Sequence, residues 1–160
     1  MFVLGIDPGL SITGYGLIEG SFPPRAHRAG VIRTATDLTT PQRLAVLHRG
    51  LTEIITDTMP DVIALESVFT NRNLQTAISV GRASGVALLA AAEAGIGVYE
   101  YVPTAIKSAI TGDGSAHKGQ IQQMVTRLLR LKDPPKPVDA ADALAIALCH
   151  LRVAPLEASR

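Results

Sequence analysis

Four carboxylates stand in unusual company in this 160-residue chain. Asp7 closes an apolar run that starts at Phe2, and Glu66 closes another, Val62 to Leu65. Asp139 and Asp142 open an apolar helix-forming segment, three residues apart and therefore on one face. Surface acids usually stand among polar neighbours, whereas these four stand at the edges of buried elements, where an unpaired charge is costly. No basic residue lies between Val138 and Cys149 to offset them. A helix N-terminus favours negative charge by roughly 0.3–1 kcal/mol, which helps the Asp pair but not the strand acids. A hard divalent cation, Mg²⁺ or Mn²⁺, would stabilise all four, and no Cys-His cluster competes for a softer metal. Four carboxylates can hold two ions about 3.5–4 Å apart, the arrangement used for in-line phosphodiester hydrolysis. Each acid also has a plainer reading. Asp139 and Asp142 could be simple helix N-terminal charges, and Asp7 could be no more than an Asp-Pro-Gly turn starter. The joint placement points to a metal site, because every member ends or begins an apolar element.

The elements that must position these acids can be read along the chain. Phe2 to Asp7 reads as a buried strand ending at the Pro8-Gly9 turn, and Ile12 to Glu19 returns from it as a hairpin partner. Ala29 to Thr34 is a plausible third strand. Thr40-Pro41 makes a helix start, with Thr40 as N-cap, and Leu44, Leu47, Leu51, Ile54 and Ile55 recur at helical spacing. Val62 to Leu65 is a short strand delivering Glu66. Helix follows from about Leu74 to Ala94, then a strand from Val98 to Val102 and a short helix from Ala105 to Ile110. Thr111 to Lys118 reads as a flexible loop, Gln120 to Leu131 as helix, and Asp139 to Leu151 as a last helix. Adjacent parallel strands would set Asp7 beside Glu66, and a helix N-terminus at the same edge would add the Asp pair. The expectation is an α/β fold with a mixed central sheet flanked by helices, forming a single domain over residues 1–153 with a frayed tail at 154–160.

Composition bounds the function class. Hydrophobic residues make up 47% and charged residues 18%, enough apolar side chain for a packed core and too little charge for wholesale disorder. The single cysteine, Cys149, excludes an internal disulfide framework and a Cys-rich zinc site, and fits a reducing compartment. No apolar run reaches the roughly 18 residues a bilayer span needs, and the N-terminus does not read as a signal peptide, so the expected location is cytoplasmic. The formal net charge of +1 argues at first against nucleic-acid binding. Setting aside the four candidate metal ligands leaves 15 basic against 10 acidic side chains, and the excess falls in residues 72–132, with 7 basic and 3 acidic. The near-neutral total is then a basic surface offset by an acidic site.

The segment Gly5-Ile6-Asp7-Pro8-Gly9, with Thr13-Gly14 behind it, also resembles the first phosphate loop of actin-like ATPases and sugar kinases. Those proteins need two such domains and a second loop, for which this chain has neither length nor match. The wider pattern is more specific. It comprises Gly5-Ile6-Asp7-Pro8-Gly9, Thr13-Gly14-Tyr15-Gly16, Leu65-Glu66-Ser67-Val68-Phe69, Gly81-Arg82-Ala83-Ser84-Gly85-Val86-Ala87 and Asp139-Ala140-Ala141-Asp142-Ala143-Leu144-Ala145. With these, the chain resembles the RuvC family of bacterial Holliday junction resolvases over nearly its whole length.

The resemblance implies an RNase H-like fold, a homodimer, and paired symmetric Mg²⁺-dependent nicks in four-way junction DNA during recombination and repair, leaving 5′-phosphate and 3′-hydroxyl ends. It places the catalytic and metal-binding acids on Asp7, Glu66, Asp139 and Asp142, with two Mg²⁺ per subunit (Mn²⁺ as substitute). DNA-binding roles fall on Phe69, Arg72, Lys107 and Lys118, Phe69 being the base-contacting aromatic. The implied partners are the branch-migration proteins RuvA and RuvB. Arg72 and Arg82 depart from the Lys and Gln of better-known members, which leaves the DNA sequence preference open. The YqgF-like nucleases, which share the fold and act on RNA, and a junction-binding module without catalysis are the rival readings. The Asp139–Ala145 helix and the Phe69 loop favour the resolvase over the first, and the presence of all four acids argues against the second. The stripe Ala77, Gly81, Ser84, Gly85, Leu88 and Ala92 would allow close backbone approach, onto the sheet or onto the same helix of a second subunit; two-fold self-complementarity favours the latter.

Overall fold

The computed structural model describes residues 1–67 and 73–157, with side chains through Ala154. Among these residues, five strands and five helices follow in the order β1 (Phe2–Asp7), β2 (Ile12–Glu19), β3 (Arg25–Arg33), α1 (Thr40–Thr58), β4 (Val62–Glu66), α2 (Leu74–Glu93), β5 (Gly97–Tyr101), α3 (Pro103–Thr111), α4 (Lys118–Leu128) and α5 (Val138–Glu157). The strands form one sheet in the order β3-β2-β1-β4-β5. β1, β2 and β3 are antiparallel neighbours, while β4 joins β1, and β5 joins β4, in parallel. This is the mixed, helix-flanked α/β sheet expected from the apolar runs.

Alternation along the central strands divides the core in two. Leu4, Ile6, Ile63 and Leu65 face α1 and α2, with Leu47, Leu51, Ile54, Ala83, Ala87 and Ala91 packed against them. Val3, Ala64 and Ile18 face the other way, onto Leu144, Ala145 and Leu148 of α5. The next position on each central strand keeps that parity, so Asp7 follows Ile6 and Glu66 follows Leu65 onto the α5 side. α5 is itself a middle layer. From Ala140 to His150 every residue but Asp142 is buried, because β1 and β2 lie beneath the helix and α3 and α4 lie above it. A helix enclosed in this way has no need of a polar face, which accounts for its unbroken apolar sequence.

Several boundaries differ from the expected ones. β3 starts at Arg25 rather than Ala29, because its ladder with β2 runs on to the Glu19–Arg25 pair although its side chains there face solvent. The N-cap of α1 is Thr39, not Thr40; Thr39 N–H donates to Gln42 Oε1 at 2.9 Å. α3 reaches Thr111, and α4 begins at Lys118, where His117 N–H donates to Gln120 Oε1 at 2.8 Å; only 112–117 is loop. α4 ends at Leu128, since Arg130 turns the chain at φ 51°. α5 extends helically to Glu157, beyond the expected end at Leu151.

α2 is long and apolar enough, by length and composition, to cross a membrane, although its sequence is interrupted by Arg82 and hydroxyl residues. Here it lies against α1 and β5 with Ala83, Ala87, Ala90 and Ala91 buried. Its opposite face leaves Leu74, Ile78, Leu88 and Leu89 exposed. Of the small-residue stripe only Ser84 is buried; Gly81 and Gly85 have open space above them within this chain.

Candidate active site

The site forms at the C-terminal edge of β1 and β4. The parallel register pairs Ile6 with Leu65, so Asp7 and Glu66 leave neighbouring strands side by side. Between β1 and β2 the chain turns through Pro8–Ser11. Thr13, itself buried, holds that turn by donating from its hydroxyl to the Gly9 carbonyl at 2.7 Å.

The Asp pair reaches the edge because α5 lies directly on the strands. A Cβ on Gly5 would overlap the Ala143 carbonyl, one on Gly14 the Asp139 carbonyl, and one on Gly16 the Leu144 side chain. Three glycines on one face of a two-stranded ribbon thus allow the first turns of α5 to sit against it. The sequence pattern contains these glycines but does not by itself show their packing role. Their signal is the i, i+2 recurrence of glycine, at Gly14 and Gly16, opposite an alanine-rich helix.

A cleft of about 470 Å³ opens at this edge. Asp7, Glu66 and Asp142 line it together with Lys107 and Lys118, and so do the hydroxyl residues Ser67 and Thr76, the latter absent from the sequence patterns above. Asp139, one turn before Asp142, is outside the cleft lining but raises the Asp7 carboxyl through its charge. Lys118 Nζ lies 3.3 Å from Asp142 Oδ2, an ion pair between residues 24 apart in sequence. Lys107 enters from α3, close enough to lower the Glu66 carboxyl. Phe69 and Arg72 fall outside the described residues.

The electrostatics of the site are those of an under-compensated acidic cluster. Burial, then the charges of Glu66, Asp142 and Asp139, push the Asp7 carboxyl up to about 8, with Lys118 opposing. Burial and Asp142 push Glu66 up against Lys118 and Lys107, and burial also raises Asp142 although Lys118 pulls it down. Lys118 is in turn raised, chiefly by Asp142. A divalent cation at this cluster would displace the proton that burial and the neighbouring acids hold on Asp7. The donor set, all carboxylate oxygen, fits a hard ion. Among the described residues no three acids already stand within one coordination sphere.

Comparison with known proteins places the chain in a family. The family described as "Crossover junction endodeoxyribonuclease RuvC" matches residues 3–150. The protein of that description from Salinispora arenicola is 50% identical over 153 residues, covering 94% of this chain and 87% of the relative. Its counterpart from Thermomicrobium roseum is 47% identical over 152 residues, covering 95% and 93%. Among solved structures, Thermus thermophilus RuvC in complex with Holliday junction substrate superposes with a TM-score of 0.92 at 37% identity, covering 98% of this chain and 96% of the other. The RNase H-like sheet, the acidic edge of β1 and β4 and the match along nearly the whole chain together show that this protein belongs to the RuvC family of crossover junction endodeoxyribonucleases.

Proposed function

We infer that this chain is a Holliday junction resolvase, an endonuclease that cuts four-way DNA junctions in recombination and repair. The observation that carries the reading is the meeting of Asp7, Glu66 and Asp142 with Lys107 and Lys118 around one cleft, in a chain of this family. The finer steps below are part of the same proposal.

Asp7, Glu66, Asp139 and Asp142 would hold two Mg²⁺ ions, with Mn²⁺ as substitute. The chemistry that such a pair supplies is activation of a water for in-line attack and neutralisation of the leaving 3′ oxygen. The protein's own residues do the rest. The four carboxylates fix where the scissile phosphate must sit. Lys107 and Lys118, which both line the cleft, neutralise phosphate charge on the strand being cut. Lys118 is already ordered by Asp142. It can exchange that contact for phosphate once cations balance the acids. Phe69, three residues past Glu66, stacks on an unpaired base at the junction centre, and Arg72 contacts the backbone beside it. The products are 5′-phosphate and 3′-hydroxyl ends.

Two opposed strands require two active sites, so the working form is a homodimer. The outward face of α2, with open Gly81 and Gly85 flanked by exposed Leu88 and Leu89, supports this face as the contact. A cytoplasmic location and assembly with RuvA and RuvB complete the proposal. The test is cleavage of a synthetic four-way junction with Mg²⁺, beside linear duplex and RNA. Paired symmetric nicks confined to the junction are expected; equal cutting of linear duplex, or a preference for RNA, would overturn the reading.

A further inference from the structure

The α1 side of the catalytic edge carries an arginine with no role in the site described above. Arg43, in the first turn of α1, is half-buried. Its Nε donates to Thr34 Oγ1 at 2.9 Å and its Nη2 to Ser11 Oγ at 2.7 Å. Thr34 is buried and fixed in turn, its hydroxyl donating to the Leu10 carbonyl at 2.6 Å and its N–H to the Ser11 carbonyl. The guanidinium is thereby held against the Pro8–Ser11 turn that follows Asp7.

The choice of partners sets this arginine apart. Both are neutral hydroxyls, and among the described residues no carboxylate lies within ion-pair distance of Arg43. Asp37, the acid in the connection between β3 and α1, makes no ion pair with it. By contrast Arg28 pairs with Asp57, and Lys118 with Asp142. The first turn of α1 contains no acid, although a helix N-terminus is where a positive charge is least favoured. A half-buried, uncompensated cation in such a place is expensive as structure alone, since a neutral side chain could brace the same hydroxyls.

The geometry of the fork says what it is free to do. Nε and Nη2 form one edge of the guanidinium plane, and the two hydroxyls occupy that edge. Among the described residues the end edge, Nη1 with the second Nη2 hydrogen, keeps two parallel donors, the pattern that matches two oxygens of a phosphate. We propose that Arg43 is a DNA phosphate anchor, pre-aligned by Thr34 and Ser11, that grips the backbone of the junction where it passes over the α1 side of the catalytic edge. The proposal deepens the resolvase reading and rests on it. It gives the DNA a fixed contact on the face of the sheet opposite Lys107 and Lys118.

Junction affinity measured against salt concentration, in EDTA so that nothing is cut, tests it. One lost phosphate contact lowers the slope of log K against log[salt] by about 0.9. Arg43→Gln is expected to weaken binding about tenfold and to lower the slope by about that one contact. Ser11→Ala, which removes part of the brace but keeps the charge, should leave the slope unchanged. Arg43→Gln binding with an undiminished slope overturns the proposal, because Arg43 is then only a brace. If Arg43→Gln does not fold, Arg43→Lys decides. It keeps the charge but loses the fork, so a several-fold loss at constant slope supports the anchor and unchanged affinity overturns it. Failure of the unsubstituted protein to bind the junction at all would instead count against the resolvase reading.

Discussion

Asp7 is the residue on which the proposed chemistry turns. Its carboxyl titrates at about 8 in the bare protein, against an ordinary 3.8. Between those values the folded state holds a proton that the unfolded chain has released. This contribution to stability is therefore fully present below 3.8 and is lost as the pH rises through about 8. The raised carboxyls of Glu66 and Asp142 act in the same direction. Urea melts in EDTA should show lower stability near pH 8.5 than near pH 6, and a rise toward pH 8.5 would contradict the assignment. Added Mg²⁺ should stabilise the protein more at the higher pH, where there is less proton to displace. Asp7→Asn should remove cutting by on the order of a thousandfold, several kcal/mol of lost charge stabilisation, with junction binding largely retained. The same substitution should abolish much of the pH dependence of the metal-free melt, a second readout independent of catalysis. Lys118→Ala should slow cleavage more than it weakens binding.

The decisive event among the elements is the seating of α5 on β1 and β2. Gly5 and Gly14 face helix backbone, which cannot move aside as a flexible side chain would. Gly5→Ala or Gly14→Ala should cost roughly 1–3 kcal/mol in thermal melts. Because the displaced atoms belong to the turns bearing Asp139 and Asp142, cleavage by the surviving folded protein should also fall, and Mg²⁺ should stabilise it less. Full activity in a stably folded Gly14→Ala protein would mean that the helix N-terminus has room to shift. Across the helix from these contacts, His150 is buried and its Nδ1 lies 2.7 Å from the Tyr101 hydroxyl, tying α5 to β5. Cys149, beside it, is also fully buried, and its thiol is pushed up to about 11 by burial. It should therefore resist alkylation at pH 8 in the native protein and react on unfolding.

For the whole molecule, the proposed homodimer has to bring two sites to one junction. Gly85 has open space above it in this chain, so Gly85→Glu creates no clash inside the subunit. It would place a charge and bulk where a second α2 approaches in the proposed dimer. Sedimentation should show a monomer with a near-native circular dichroism spectrum, and nicking should become unpaired. A Gly85→Glu protein that remains a dimer would move the interface elsewhere. Charge at this scale also acquires a location. Lys107 and Lys118 flank the acids on one side of the sheet edge, and Arg43 stands on the other.

By itself, the sequence determined where the candidate acids emerge. An acid at the end of an apolar strand must emerge at a sheet edge, and the parity of a strand fixes the face, so Asp7 and Glu66 were legible without coordinates. The alternation of apolar runs likewise determined the sheet and its helical cover. Other features depended on contacts between distant parts of the chain. The approach of Asp139 and Asp142 rests on glycine against helix backbone, which carries no hydrophobic period. The Lys118–Asp142 pair joins residues 24 apart. The ends of β3 and α4 were set by a ladder and a cap rather than by apolar spacing. The brace on Arg43 links the β1–β2 turn, the end of β3 and the first turn of α1, three segments that only the folded sheet brings together. Local pattern records what a residue is and which way it faces, whereas polar contacts between segments depend on angstrom-scale placement that only tertiary packing supplies.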